Sequence, residues 1–332
     1  MKSDLNGIYK NELPPFLNDY FNYLSTIKGC SINTIIAYTA DLSLLLKFLK
    51  MYKDLIPSDK NIKLEDIVIS DFTLDTLKTL KLQDLYAFIS YLGKYRANGN
   101  YAKARKIASI KSLFKYLTTK AKVLTVDPTI DLESPKIGKR SPVFLTLNES
   151  KDLLEATISR DKHSIRDHSI ITLFLNCGLR LSELCSINLS DMKEDTLSVI
   201  GKGNKERTIY LNKASLRAIY KYLPIRNMNI DKIHAEDKDA LFISGKFGRI
   251  NKRTVERIVK KHIGDAGLNK NKYTPHKLRH TSATLMYKYG NVDIRSLQDI
   301  LGHENISTTQ IYTHADDEKL RNAVKSNPLS DE

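Results

Sequence analysis

Pro128, Pro135 and Pro142 punctuate the stretch from Asp127 to Pro142, and a helix cannot run through a segment broken in that way. The same stretch carries Lys136, Gly138, Lys139 and Arg140, so it reads as an extended, cationic connector that divides the chain in two. With 332 residues, 41% of them hydrophobic, each part has enough apolar material for its own core. The expected organisation is a first domain at 1–126, a linker at 127–142 and a second domain at 143–332.

Hydrophobic spacing makes the first domain all helical. After Pro14 and Pro15, Phe16, Tyr20, Phe21 and Leu24 recur at helical spacing until Gly29. Ser31 is an expected N-cap for a second helix bearing Ile35, Tyr38, Leu42, Leu45 and Leu49 on one face. Residues 52–75 are polar with short apolar pieces and read as a loop or insertion. Two further helices carry Leu82, Leu85, Phe88, Ile89 and Leu92, then Ile107, Ile110, Phe114 and Leu117.

The second domain mixes helices with a small sheet. Thr146 and Glu149 form a capping box, and Ile170, Ile171, Phe174 and Leu175 mark a helix that stops at Gly178. Leu197–Ile200 and Thr208–Leu211 read as strands around a Gly201–Asn204 turn, with another short strand at Leu241–Ile243.

Lys and Arg outnumber Asp and Glu by 53 to 38, a net charge of +15, which favours a polyanionic partner and nucleic acid first. Residues 101–122 hold seven bases (Lys103, Arg105, Lys106, Lys111, Lys115, Lys120 and Lys122) and no acid; residues 246–288 hold twelve against Glu256 and Asp265. One such run is as readily a solvated helix face, whereas two in separate halves favour a DNA-tracking surface. No uninterrupted apolar stretch of about 18 residues and no signal-peptide core is present, so a soluble intracellular protein is expected. Cys30, Cys177 and Cys185, with no CxxC, suggest neither a disulfide framework nor a cysteine-rich metal site.

Six polar residues stand out, each with an ordinary structural reading beside the chemical one. Arg180 sits at a helix start, where it can pair with Glu183 three residues on; Lys202 lies at a glycine-flanked hairpin tip. His276 and Arg279 follow Thr274-Pro275, an N-cap and first-turn proline, so they share one face of a helix N-terminus where an anion is favoured. His280 completes a HxxxH pair with His276, but position 277, where a glutamate would be needed, is Lys277, and cations crowd the segment, so no metal is expected. His303 follows a Leu301-Gly302 helix stop, and Tyr312 lies nine residues beyond it, one of seventeen tyrosines.

Arg180, Lys202, HxxR at 276 and 279, LGH ending at 303, and Tyr312 occur in the order and spacing of one pattern. The chain resembles the tyrosine recombinase (phage integrase) family, most closely its bacterial Xer members. The likeness extends through Ser31-Ile-Asn-Thr34 with Tyr38, Asp41 and Leu42, and through the linker into SPVFLTLNE. It implies a mainly α fold: an N-terminal helical core-binding domain plus an α+β catalytic domain with a small antiparallel sheet, the two forming a C-shaped DNA clamp.

The resemblance also implies site-specific cleavage and rejoining of DNA through a 3′-phosphotyrosyl intermediate. A phosphodiester under attack gains charge on its non-bridging oxygens, which the always-charged forks of Arg180 and Arg279 can bind. Tyr312 is the nucleophile; with a free pKa near 10, it needs a proton acceptor, for which His276 is the candidate. His303 is assigned as a hydrogen-bond donor to the phosphate, Lys202 as the general acid for the leaving 5′ oxygen, and Glu183 as the group that orients Arg180. The phosphotyrosyl bond conserves the energy of the phosphodiester, so no cofactor is expected, and no GxxxxGK[ST] loop occurs.

DNA contacts are expected from Lys103, Arg105, Lys106, Lys111, Lys139, Arg140, Lys205 and Arg253. The expected partners are double-stranded DNA and a homo- or hetero-tetramer assembled on two sites, with a second recombinase or a DNA translocase as further candidates. Asp316–Val324 is expected to be helical and to dock on a neighbouring protomer. A cytoplasmic, nucleoid-associated role in chromosome or plasmid dimer resolution leads. The rival readings are a mobile-element integrase, a non-catalytic regulator of the same architecture and a type IB topoisomerase-like relaxing enzyme.

Overall fold

A computed structural model describes residues 12–56, 62–138, 142–158, 163–201, 205–228, 230–290 and 292–302. The chain divides into two compact units, Met1–Lys139 and Arg140–Glu332, a break inside the proline-punctuated segment.

The first unit is helical: α1 (Pro15–Thr26), α2 (Ile32–Tyr52), α3 (Leu74–Lys78), α4 (Leu82–Lys94) and α5 (Asn100–Thr119). Pro15 opens α1 in its first turn, where its missing N–H would have had no partner. The Ser31 hydroxyl accepts the backbone N–H of Thr34 at 3.3 Å and so starts α2. Leu17, Leu42, Leu45, Leu46, Leu49, Phe88 and Phe114 are fully buried between these helices, each contributing roughly 1.5–3 kcal/mol of transfer free energy.

Two sequence expectations change here. Although polar residues interrupt its run, α2 has 21 residues and a mean hydropathy of 1.4 over its most apolar window, enough by length and composition to cross a membrane. It is instead the core helix of this unit: it packs on α4 and α5, and its Asp41, 2% exposed, is ion-paired with Arg105 at 2.5 Å and Lys106 at 3.1 Å. The 52–75 segment is not merely a loop, because Ile67, Ile69 and Phe72 are buried and Lys50 Nζ donates to the Val68 carbonyl at 3.0 Å. Lys47 likewise donates to the carbonyl of Glu65. Each apolar piece is too short to show a period, so only its docking against α2 identifies it as core.

The second unit comprises α6 (Leu147–Ala156), α7 (Ser164–Cys177), α8 (Leu181–Ser186), strands β1 (Met192–Lys193), β2 (Thr196–Ile200) and β3 (Glu206–Tyr210), then α9 (Lys213–Asn227), α10 (Lys252–Asp265), α11 (Pro275–Tyr289) and α12 (Ile294–Leu301). Thr146 and Glu149 make the expected reciprocal cap at the start of α6. The central helix α7 packs against α9 and α11 and is buried on nearly every side. Its Arg166 and Asp167 form a buried pair at 2.8 Å, to which His262 of α10 adds a contact at 3.3 Å.

The sheet is antiparallel in the order β1-β2-β3, with Thr196 opposite Tyr210 and Ile200 opposite Glu206. Leu241–Ile243 is not a strand. The segment and its flank make only isolated bridges, Ala240 with Asn188 and Ile243 with Arg249, although Leu241 and Phe242 are buried. A short apolar run satisfies burial without committing to a ladder, and periodicity cannot distinguish the two. Cys177 and Cys185 are buried thiols, pushed by that burial up to about 11.

Candidate active site

Two glycines set the frame. Gly178 ends α7 in the left-handed region at φ +59°, and a Cβ there would lie 2.9 Å from a Leu301 methyl. Gly302 ends α12 at φ +62°, where a Cβ would lie 2.8 Å from Cδ of Arg207. The two helix ends therefore approach each other closely, and Arg180 follows the first of them as the N-cap residue of α8.

Glu183, on the first turn of α8, is 1% exposed and is the anion of the site. One carboxylate oxygen accepts Arg180 Nη1 at 2.7 Å; the other accepts the Arg180 backbone N–H at 2.7 Å and Arg207 Nη2 at 2.8 Å. Arg207 Nε lies 3.4 Å from the first oxygen, and Arg279 Nη1 lies 3.8 Å from the second. Burial alone would raise the carboxyl pKa. The hydrogen bond and charge of Arg207, followed by the backbone and side-chain hydrogen bonds of Arg180, outweigh it and hold Glu183 below the usual carboxylate value.

The same guanidiniums reach the C-terminus of α12. Arg207 donates to the carbonyl of Ile300, Arg279 Nη2 to Leu301 at 2.5 Å, and Arg180 Nη2 to Gly302 at 2.6 Å. These carbonyls lack intrahelical partners and carry the negative end of the helix dipole, so cations belong there. Arg279 also donates to the Gly178 carbonyl at 2.6 Å. Arg279 is 4% exposed and Arg207 13%, whereas Arg180 is 29% exposed and is the most open of the three to a ligand.

His276 sits in the first turn of α11, after Pro275 and the Thr274 cap, as its sequence context suggests. The side chain is exposed, but the protein packed around one side of the ring, followed by the charges of Lys277 and Arg279, lowers its pKa from the usual histidine value and favours the neutral, proton-accepting imidazole. Its Nε2 lies 3.0 Å from Nε2 of His280, a distance at which one ring donates and the other accepts.

The structure thus brings together Arg180, Glu183 and Arg279, with His276 one turn before Arg279 on α11. Lys202, His303 and Tyr312 lie outside the described residues. The hairpin that bears Lys202 does begin beside the cluster, because a Cβ on Gly201 would lie 3.5 Å from Arg180 Nη1. Arg207 is the residue missed from sequence. It lies two positions before buried Ile209 and so on the inward face of β3, where an arginine requires a buried carboxylate; that signal was available.

Among the expected DNA contacts, Arg105, Lys205 and Arg253 are exposed, and Lys103 and Lys111 are partly so. Lys106 is turned inward to Asp41, with 10% of its side chain exposed. Lys139 and Arg140 lie outside the described residues.

The phage integrase family matches residues 143–319. The chain is 52% identical over 331 residues to tyrosine recombinase XerC of Caldanaerobacter subterraneus subsp. tengcongensis, covering 100% of this chain and 92% of that one. It is 35% identical over 322 residues to tyrosine recombinase XerC of Thermodesulfovibrio yellowstonii, covering 96% and 97%. Among solved structures, it is similar to the XerH site-specific recombinase in a post-cleavage complex with palindromic difH substrate, with a TM-score of 0.69 and 21% identity over 93% of this chain and 84% of that one.

Proposed function

The chain belongs to the phage integrase family and is a site-specific tyrosine recombinase of the Xer type, and from that premise we propose how its residues divide the reaction. Tyr312 attacks the scissile phosphorus and displaces the 5′ oxygen, leaving a 3′-phosphotyrosyl bond that a different 5′ hydroxyl can later reverse. Arg180 and Arg279 bind the non-bridging oxygens as their charge grows. His276, held neutral beside Lys277 and Arg279, accepts the tyrosine proton; Lys202 supplies a proton to the leaving oxygen, and His303 donates a hydrogen bond to the phosphate. The conserved bond energy removes any need for a nucleotide cofactor.

One observation carries this reading: Arg180 and Arg279 converge on the buried Glu183 and on the carbonyls of Leu301 and Gly302, immediately before His303. The substrate is duplex DNA, bound by recombinases assembled as tetramers on paired sites in the cytoplasm, and the role is resolution of chromosome or plasmid dimers. The charge of +15 fits that polyanionic partner.

The test maps covalently bound DNA ends in cells and rebuilds those sites as nicked suicide duplexes. Wild-type protein is expected to accumulate a covalent adduct, whereas Tyr312→Phe binds the same DNA without forming one. An adduct that survives Tyr312→Phe refutes the assignment of the nucleophile. Binding by both proteins with no adduct from either refutes catalysis.

A further inference from the structure

We propose that Arg207 is a positioning residue for the cleavage step: it is the counter-ion of Glu183 that leaves the charges of Arg180 and Arg279 available to the reacting phosphate. The inference rests on the role of those two arginines proposed above. Arg207 engages Glu183 side-on, Nη2 at 2.8 Å to one oxygen and Nε at 3.4 Å to the other. A fork of this kind is the favoured geometry between guanidinium and carboxylate. Its remaining Nη1 is spent on the Ile300 carbonyl, and only 13% of the side chain is exposed. Arg207 thus commits its visible donors to the protein and offers little surface to DNA.

The charges show what this arrangement does. Among the described residues, Arg180, Arg207 and Arg279 surround one carboxylate, so three positive charges against one negative give this cluster a net charge of +2. A phosphodiester carries one negative charge, and its pentacoordinate transition state approaches two. With Arg207 in place, the pocket matches the transition state better than the ground state, which is what accelerates a reaction. Without it, Glu183 has, among the described residues, only the guanidiniums of Arg180 and Arg279 to neutralise it, and the net charge of that cluster falls to +1. Arg207 also joins β3 to the last turn of α12, so the same side chain holds the carboxylate and the helix end in register.

The experiment compares wild type, Arg207→Met, Arg207→Lys, Glu183→Gln and the double variant Glu183→Gln/Arg207→Met. It uses the nicked suicide duplex, with either a normal phosphate or a methylphosphonate at the scissile position. Arg207→Met is expected to slow adduct formation about 10²-fold, the scale of a displaced catalytic group, with DNA affinity and its salt dependence unchanged because no phosphate contact is lost. Arg207→Lys, which keeps the charge and loses the fork, recovers part of the rate.

Two readouts separate this role from general destabilisation. With Glu183→Gln already present, removing Arg207 should cost less than about fivefold, because no carboxylate is left to compete. On the methylphosphonate, where an uncharged methyl group replaces one non-bridging oxygen and the transition state carries one negative charge fewer, the Arg207→Met penalty should likewise shrink to less than about fivefold. If Arg207→Met is misfolded by circular dichroism, Arg207→Lys and the double variant decide by the same comparisons. A loss of equal size in the Glu183→Gln background and on both substrates overturns the inference, as does an Arg207→Met rate within about threefold of wild type. A wild-type protein that forms no adduct overturns the parent reading instead.

Discussion

At the residue scale, His276 links pKa to both rate and stability. Its folded pKa is lowered by the protein packed against one side of this exposed ring and by Lys277 and Arg279, so between that value and the ordinary 6.5 the folded protein binds fewer protons than the unfolded chain. Stability therefore rises with pH through that window and is lost as pH falls through it, and the neutral base persists to lower pH than a free histidine would allow. NMR titration of the His276 imidazole in DNA-free protein should give a midpoint below 6.5, and Lys277→Gln should move it upward. A midpoint at or above 6.5 would contradict the stated environment.

At the scale of the element, α5 carries the basic run but does not present all of it. Lys106 faces Asp41, whereas Lys103 and Lys111 remain partly exposed. Lys103→Ala and Lys111→Ala should each reduce the slope of log affinity against log salt by about one unit if they contact phosphates. Lys106→Ala should leave the slope unchanged while lowering stability, since it strips a partner from a buried carboxylate. Equal slope losses from all three variants would mean that Lys106 turns outward on DNA. Local chemistry made several element boundaries legible: Ser31, Thr146 and Thr274 cap their helices because a side-chain oxygen meets an N–H only three residues away. The hairpin strands were legible to within a residue or two at each end, because their alternation is local as well.

For the whole molecule, each unit has its own buried core and its own buried ion pair, Asp41 with Lys106 in the first and Arg166 with Asp167 in the second. Calorimetry should resolve two unfolding transitions. Asp41→Ala should lower one and Asp167→Ala the other, each by roughly 3 kcal/mol, the cost of leaving a buried cation without its partner. One transition shifted by both variants would show that the units unfold together.

The sequence by itself determined the two-part organisation, the helical character of the first part, the hairpin in the second, and the order Arg180, Lys202, His276, Arg279, His303, Tyr312 that marks the family. Each is a matter of neighbours along the chain or of a pattern of residue types. Only the tertiary structure decided that Lys106 is a buried ion-pair partner, that 52–75 contributes to the core, and that Arg207 belongs with Arg180 and Arg279 around Glu183. The physical reason is common to all three. A side chain's charge is written in the sequence, but its partner and its access to water come from chain segments brought together by folding.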